Sequence, residues 1–307
     1  LTQTKKSYFL STEQVDEIVE KYQNSGYECT CVTLAKEYGV TKAAIRQWLI
    51  KRGVEVRNNR FKLRRTYELN EDYFRNIDTE EKAYFLGLSY ADGCNHEAKN
   101  VFQIFLQEED KEILEKFRLA IQYEKPLRFI DLNTKNQNHK NQFGLVVNSQ
   151  KFSQILASQG CVSAKSLILE FPSEDVLPQH LVRHFIRGYY DGDGGIYHYT
   201  SKITKLKYEK SKPFLQDTVQ IGITSAINFL TKLKEYVEKE VGITTSKLMI
   251  ANKSEITRRF ACSNRKAIKI LDWMYKDATI YMERKHQKYL FCKQLFNDGK
   301  VGKHYRL

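Results

Sequence analysis

Apolar residues recur at helical spacing near the start of the chain and give way to short alternating runs farther on. In STEQVDEIVEKY (11–22), Val15, Ile18 and Val19 share one face behind an N-cap at Ser11 or Thr12, which predicts a helix. After a loop containing Gly26, the stretch 32–53 reads as two short helices. Leu34, Ala35, Val40, Ile45, Trp48 and Leu49 would fill their core, with Gly39 as the turn and Thr41 capping the second helix. Beyond residue 77 the texture changes. VFQIFLQ (101–107), FGLVVNS (143–149), VQIGITS (219–225) and RRFACS (258–263) read as strands. EDKEILEKFRLAIQ (109–122), SQKFSQILASQ (149–159), INFLTKLKEYVEKE (227–240) and NRKAIKILDWMY (264–275) read as helices. Two more helices end in FLGLSYADG (85–93) and IRGYYDGDG (186–194). The first is expected to be capped by Asp78, with Glu81 three residues on; the second is expected to start near Pro178.

The two helix ends match at one constant offset. Gly87, Ala91, Asp92 and Gly93 correspond to Gly188, Gly192, Asp193 and Gly194, and each helix is followed by strands, a helix, strands and a helix. An internal duplication of the αββαββα kind is predicted, an α+β core with pseudo-twofold symmetry beside a small all-α unit. The expected boundaries are 1–53 for the helical unit, 54–76 for a linker, 77–177 for the first half and 178–307 for the second.

Charge sharpens the picture. Fifty Lys and Arg against 37 Asp and Glu leave a net +13 and a pI near 9.3. A phosphate backbone is the commonest partner of such a surface. No long apolar run and no basic amphipathic helix with a bulky apolar face suggests a membrane. The six cysteines, Cys29, Cys31, Cys94, Cys161, Cys262 and Cys292, form no CxxC pair. No signal peptide is visible in LTQTKKSYFL, so reduced thiols in an intracellular protein are expected. The first unit resembles a helix-turn-helix module, which would turn Lys42, Ala43, Arg46 and Gln47 outward on a recognition helix. The run KRGVEVRNNRFKLRR (51–65) carries seven basic residues against Glu55 alone. It reads either as an arm tracking phosphates through Arg57, Arg60, Lys62, Arg64 and Arg65, or as a solvated spacer.

The acids carry the chemistry. A carboxylate at a helix C-terminus meets partial negative charge and is mildly unfavourable there. Gly87 with Ala91, and Gly188 with Gly192, are four apart and share a face, so the two helices can pack closely through these small residues. Asp92 and Asp193 would then emerge side by side with the carbonyls of the last turns. Two such carboxylates repel until a divalent cation joins them, and carboxylate and carbonyl oxygens suit Mg²⁺. Ala91 and Gly192 are the expected carbonyl donors. Metal ions held beside a phosphodiester support its hydrolysis.

FLGLSYADG and IRGYYDGDG resemble the two motifs of the LAGLIDADG homing endonucleases of the two-motif, single-chain type. NHE after the first motif, AKSLILEFP, and the late YKDATIYMERKHQKY extend the similarity over roughly residues 75–295. The resemblance implies two saddle-shaped antiparallel sheets astride duplex DNA, with Asp92 and Asp193 binding Mg²⁺ or another divalent cation. It further implies a monomer that cuts both strands across the minor groove, leaving 3′ overhangs. Such a protein would be cytoplasmic in a bacterium or phage and organellar otherwise. The sixth motif letter, Tyr90 in one half and Asp191 in the other, is not the metal ligand, and Asp191 is expected to be a helix-end or surface acid. By position, Gln107 and Thr224 are candidates for positioning water. Lys151, Lys253 and Lys266 are candidates for a basic group near the metals, or plain surface lysines. An insertion after Tyr199 adds Lys202, Lys205, Lys207, Lys210 and Lys212 on or near a hairpin, placed either against DNA or in solvent. A non-cleaving DNA-binding regulator and an intron RNA maturase are the alternatives on the same scaffold; an Mg²⁺ cleavage assay separates the first, and RNA against duplex DNA the second.

Overall fold

A computed structural model describes residues 10–25, 29–56, 67–132, 140–203, 214–251, 256–301 and 304–306. Chain contacts divide the protein into two compact units, Leu1–Glu68 and Leu69–Leu307.

In the first unit, α1 (Thr12–Asn24) begins with a reciprocal cap: Ser11 Oγ accepts from Gln14 N while the Gln14 side chain accepts from Ser11 N. Thr30 caps α2 (Cys31–Glu37), and Thr41 caps α3 (Lys42–Lys51). Gly39 turns the chain between them at a φ of 65°, a conformation that costs glycine no Cβ clash. Ile18, Tyr22, Leu34, Ala35, Ile45 and Leu49 close the core, with Val40 and Trp48 half-buried at its edge.

The second unit is built from two copies of one plan. The first copy runs α4 (Glu80–Ala91), β1 (Gly93–His96), β2 (Val101–Gln107), α5 (Lys111–Ala120), β3 (Arg128–Ile130), β4 (Gln142–Asn148) and α6 (Gln150–Ser158). The second runs α7 (Val182–Asp193), β5 (Gly195–Ile203), β6 (Phe214–Ala226), α8 (Ile227–Val241), β7 (Met249–Ile250), β8 (Thr257–Ser263) and α9 (Asn264–Tyr275). A further helix, α10 (Glu283–Asn297), and a short strand, β9 (His304–Arg306), follow; β9 pairs with β6. Both sheets are antiparallel, ordered β1-β2-β4-β3 and β5-β6-β8-β7. Alternate side chains (Phe102, Ile104 and Leu106; Val219, Ile221 and Ile223) are buried against the helices, and the intervening residues line the opposite, open faces. Among the described residues no helix is long and apolar enough to cross a membrane, and all six cysteines are free.

Several expectations change. Thr79, not Asp78, caps α4, and Asp78 pairs instead with Lys82 at 2.8 Å. Pro178 precedes a 3-10 turn (Gln179–Leu181), so α7 starts only at Val182. The expected linker, 54–76, is too long at its C-terminal end: Tyr73 and Phe74 are buried in the core, where Phe74 meets Phe117 and Phe152 edge-on. Burying rings of that size contributes on the order of 2 kcal/mol each, so this end of the stretch is structural.

Asp191 is neither a surface acid nor free at a helix end. It is fully buried and accepts hydrogen bonds from Tyr84 Oη (2.8 Å), Tyr275 Oη (2.6 Å) and the Met282 amide (2.8 Å). Burial raises its pKa and the three donors oppose that rise. Next to it Arg187, also fully buried, donates to the Met274 and Ile280 carbonyls and pairs with Glu80 at 2.6 Å. Because Tyr84 and Glu80 belong to α4, this polar cluster ties the first half to the second.

Candidate active site at the paired helix ends

Helix α4 is buried on every side from Ala83 to Tyr90, as a helix enclosed between layers must be. It crosses α7 at the expected glycines. A Cβ on Gly87 would fall well inside contact distance of the Phe185 carbonyl oxygen, and one on Gly188 would do the same at the Tyr84 carbonyl oxygen. Each helix therefore lays its backbone on the other at one glycine. One turn on, a Cβ on Gly192 would lie 2.5 Å from Ala91 Cβ and 2.5 Å from Asp92 Oδ2. That places the Asp92 carboxylate against the residue just before Asp193. Asp92 is the C-cap of α4 and Asp193 the last residue of α7, so both stand where the helix dipoles are negative.

The electrostatics follow from this crowding. Burial, reinforced by the Asp193 charge, pushes the Asp92 pKa up to about 6. Desolvation raises Asp193 as well, although its side chain reaches solvent, and the neighbouring Tyr189 phenol holds that rise back. Two lysines answer the acids symmetrically. Lys165 Nζ donates to the Gly93 carbonyl and Lys285 Nζ to the Gly194 carbonyl, in each case the residue following the acid. Both lysines are buried, and desolvation lowers the Lys285 pKa. Each stands on the segment that follows the last helix of its half, Lys165 after α6 and Lys285 in the first turn of α10. Lys285→Met is expected to raise the Asp92 pKa above about 6, because a cation that favours its ionised form is lost. A carboxyl-detected NMR titration of the metal-free protein measures that shift.

The site is thus two carboxylates flanked by backbone carbonyls and two ammonium groups. Among the described residues no cluster of three or more His, Cys, Asp or Glu side chains could hold a metal alone. A hard divalent cation fits the donors that are present, Asp92 and Asp193 with the last-turn carbonyls of Ala91 and Gly192, provided that water or a substrate oxygen fills the remaining positions.

The other predicted residues fall as follows. Gln107 is exposed at the far end of β2, opposite Gln142, and Thr224 is exposed on β6, opposite Arg259. Lys151 pairs with Asp72, and Lys266 donates to the Thr244 carbonyl at 2.6 Å; Lys165 and Lys285 are the lysines beside the acids. Lys253 lies outside the described residues, as do Arg57, Arg60, Lys62, Arg64, Arg65, Lys205, Lys207, Lys210 and Lys212. Lys202 is exposed on β5, and Lys42, Ala43, Arg46 and Gln47 are exposed on α3. Lys165 and Lys285 were within the quoted AKSLILEFP and YMERKHQKY stretches. Their spacing from the acids differs between halves, so no constant offset marked them.

No family model matches the sequence, and no curated protein matches it either. Solved structures are similar to it at low identity. The LAGLIDADG meganuclease I-CpaMI bound to uncleaved DNA aligns with a TM-score of 0.46 at 13% identity, over 73% of this chain and 92% of its own. I-LtrWI bound to target DNA aligns at 0.46 and 13%, over 75% and 92%. I-SmaMI bound to an uncleaved target in the presence of calcium ions aligns at 0.45 and 10%, over 73% and 93%. All three are LAGLIDADG homing endonucleases. The reading of the site rests on its own geometry.

Proposed function

We propose that this protein is a site-specific endonuclease of the LAGLIDADG kind, acting on duplex DNA with Mg²⁺ or another divalent cation. The observation that carries the reading is the pair of acids, held together by a backbone-to-backbone helix crossing and both raised in pKa by burial, with the Asp193 charge adding to the rise of Asp92. A divalent cation bound there supplies Lewis acidity toward a phosphodiester and lowers the pKa of its bound water. Asp92 and Asp193 hold charge and geometry at the junction of the halves, where one acid serves each strand. Lys165 and Lys285 fix the glycine carbonyls behind the acids and add positive charge toward an incoming phosphate. The open sheet faces on either side lie against the duplex, with cuts across the minor groove and 3′ overhangs. The net charge of +13 supports a polyanionic partner.

The decisive experiment selects bound duplexes from a randomised pool with the full chain, then asks whether Mg²⁺ cuts them and a chelator prevents it. Binding without any cutting would favour a regulator and overturn the nuclease reading. The first unit adds contacts through Lys42, Arg46 and Gln47 on α3. Removing residues 1–68 is expected to weaken duplex binding about tenfold or more and shorten the footprint, while metal-dependent cutting persists. Footprinting of both chains measures this.

A further inference from the structure

The open faces of the two sheets carry unequal chemistry beside the acids. Cys94 and Gly195 each stand two residues beyond their acid, and they pair with Gln103 and Gly222. Two positions farther along, the first half pairs Phe105 with Gly144, and the second pairs Thr224 with Arg259. In the first half the Phe105 ring lies across Gly144 and fills the space a Cβ would take. In the second half a guanidinium occupies the surface. Arg259 reaches over Gly222, with Nη2 and Nε 3.1 and 3.2 Å from where a Cβ on that glycine would stand.

Burial of Ile221, Ile223 and Phe260 on the helix side puts Gly222, Thr224 and Arg259 on the open side. By continuation of the β5–β6 register, Thr224 is level with Asp193, so Arg259 stands one strand beyond that level. Arg259 is half-buried, and its guanidinium makes no hydrogen bond or ion pair among the described residues. A guanidinium with no carboxylate partner among the described residues, and laid over a glycine, presents its fork of donors to an oxyanion. The first half has a basic residue in the same row, Arg128, but it lies on β3 opposite Gly144, one strand farther from the acid.

We propose that Arg259 binds the phosphate backbone of the DNA strand cut beside Asp193, and that Phe105 and Gly144 leave the other strand without an equivalent contact. The two strands are then cut at unequal rates and a nicked duplex accumulates. The proposal rests on the endonuclease reading above.

The test uses the full chain and a duplex recovered by binding selection, with the two strands carrying different end labels. Arg259→Met removes the charge and the fork of donors while leaving an unbranched side chain beside Gly222. It is expected to slow the Asp193-side cut at least about tenfold and leave the other within about twofold, with Arg259→Lys recovering part of the loss. Equal slowing of both strands, or of neither, overturns the proposal while the nuclease reading stands. Failure of the unaltered chain to cut any selected duplex overturns both.

Discussion

Asp92→Asn is expected to reduce double-strand cutting by at least about a thousandfold and leave duplex binding intact, and Asp193→Asn to do the same. Each change removes one of the two carboxylates from a site whose other donors are neutral carbonyls, so a divalent cation loses half of its anionic ligands. Neither disturbs the helix crossing, because asparagine matches the shape of aspartate. Time courses of cutting, run beside gel-shift titrations in Ca²⁺, separate chemistry from binding. Loss of binding in step with cutting would mean that the acids serve structure.

The same variant has an opposite effect on the metal-free protein. The Asp92 pKa is raised in the fold, so its stabilising contribution is complete below its unfolded pKa near 4 and is lost as pH rises through about 6. At pH 7.5 the charged pair therefore opposes folding. Asp92→Asn is expected to stabilise the metal-free chain there by about 1–2 kcal/mol, discounted because the carboxylate is partly exposed. Thermal unfolding at pH 4.5 and 7.5 should show the larger gain at the higher pH.

The second large effect concerns packing. Gly188→Val forces side-chain atoms into the Tyr84 carbonyl of α4, and the obstacle is backbone, which no rotamer change can move aside. A destabilisation of about 4 kcal/mol or more is expected, read as loss of soluble protein or a lowered urea midpoint. Gly39→Ala is the internal comparison: it strains a positive φ but meets nothing within 4 Å, and should cost only about 1 kcal/mol.

Apart from α4 and α7, which are buried nearly all round, the helices and strands of the duplicated core were legible because each has one wet face and one dry face, and that contrast is written in period. The strand pair VFQIFLQ and FGLVVNS, and the helix 264–275, fall where alternation and helical spacing put them. The short strands β3 and β7 were not legible, since three- and two-residue strands hold too few positions to show a period. Residues 69–76 looked like the end of a charged linker. Only the fold shows Tyr73 hydrogen-bonded to Glu81 of α4 and Phe74 packed on Phe117 and Phe152, because burial there depends on elements distant in the chain.

Asp191 and the lysines mark the boundary most sharply. A matched Gly, Ala or Gly, Asp, Gly pattern on two helices was enough, in sequence alone, to pair Asp92 with Asp193, because residues four apart on a helix must share a face. That Asp191, two residues earlier, points into the core was decided by the crossing of α4 and α7, which brings Tyr84 to it, and by the packing of α9, which brings Tyr275. That Lys165 and Lys285, rather than Lys151 or Lys266, stand behind the acids was decided by how α10 and the segment after α6 fold back. Local periodicity determines which faces are dry; which dry faces meet, and so which charges share a site, is a long-range packing outcome.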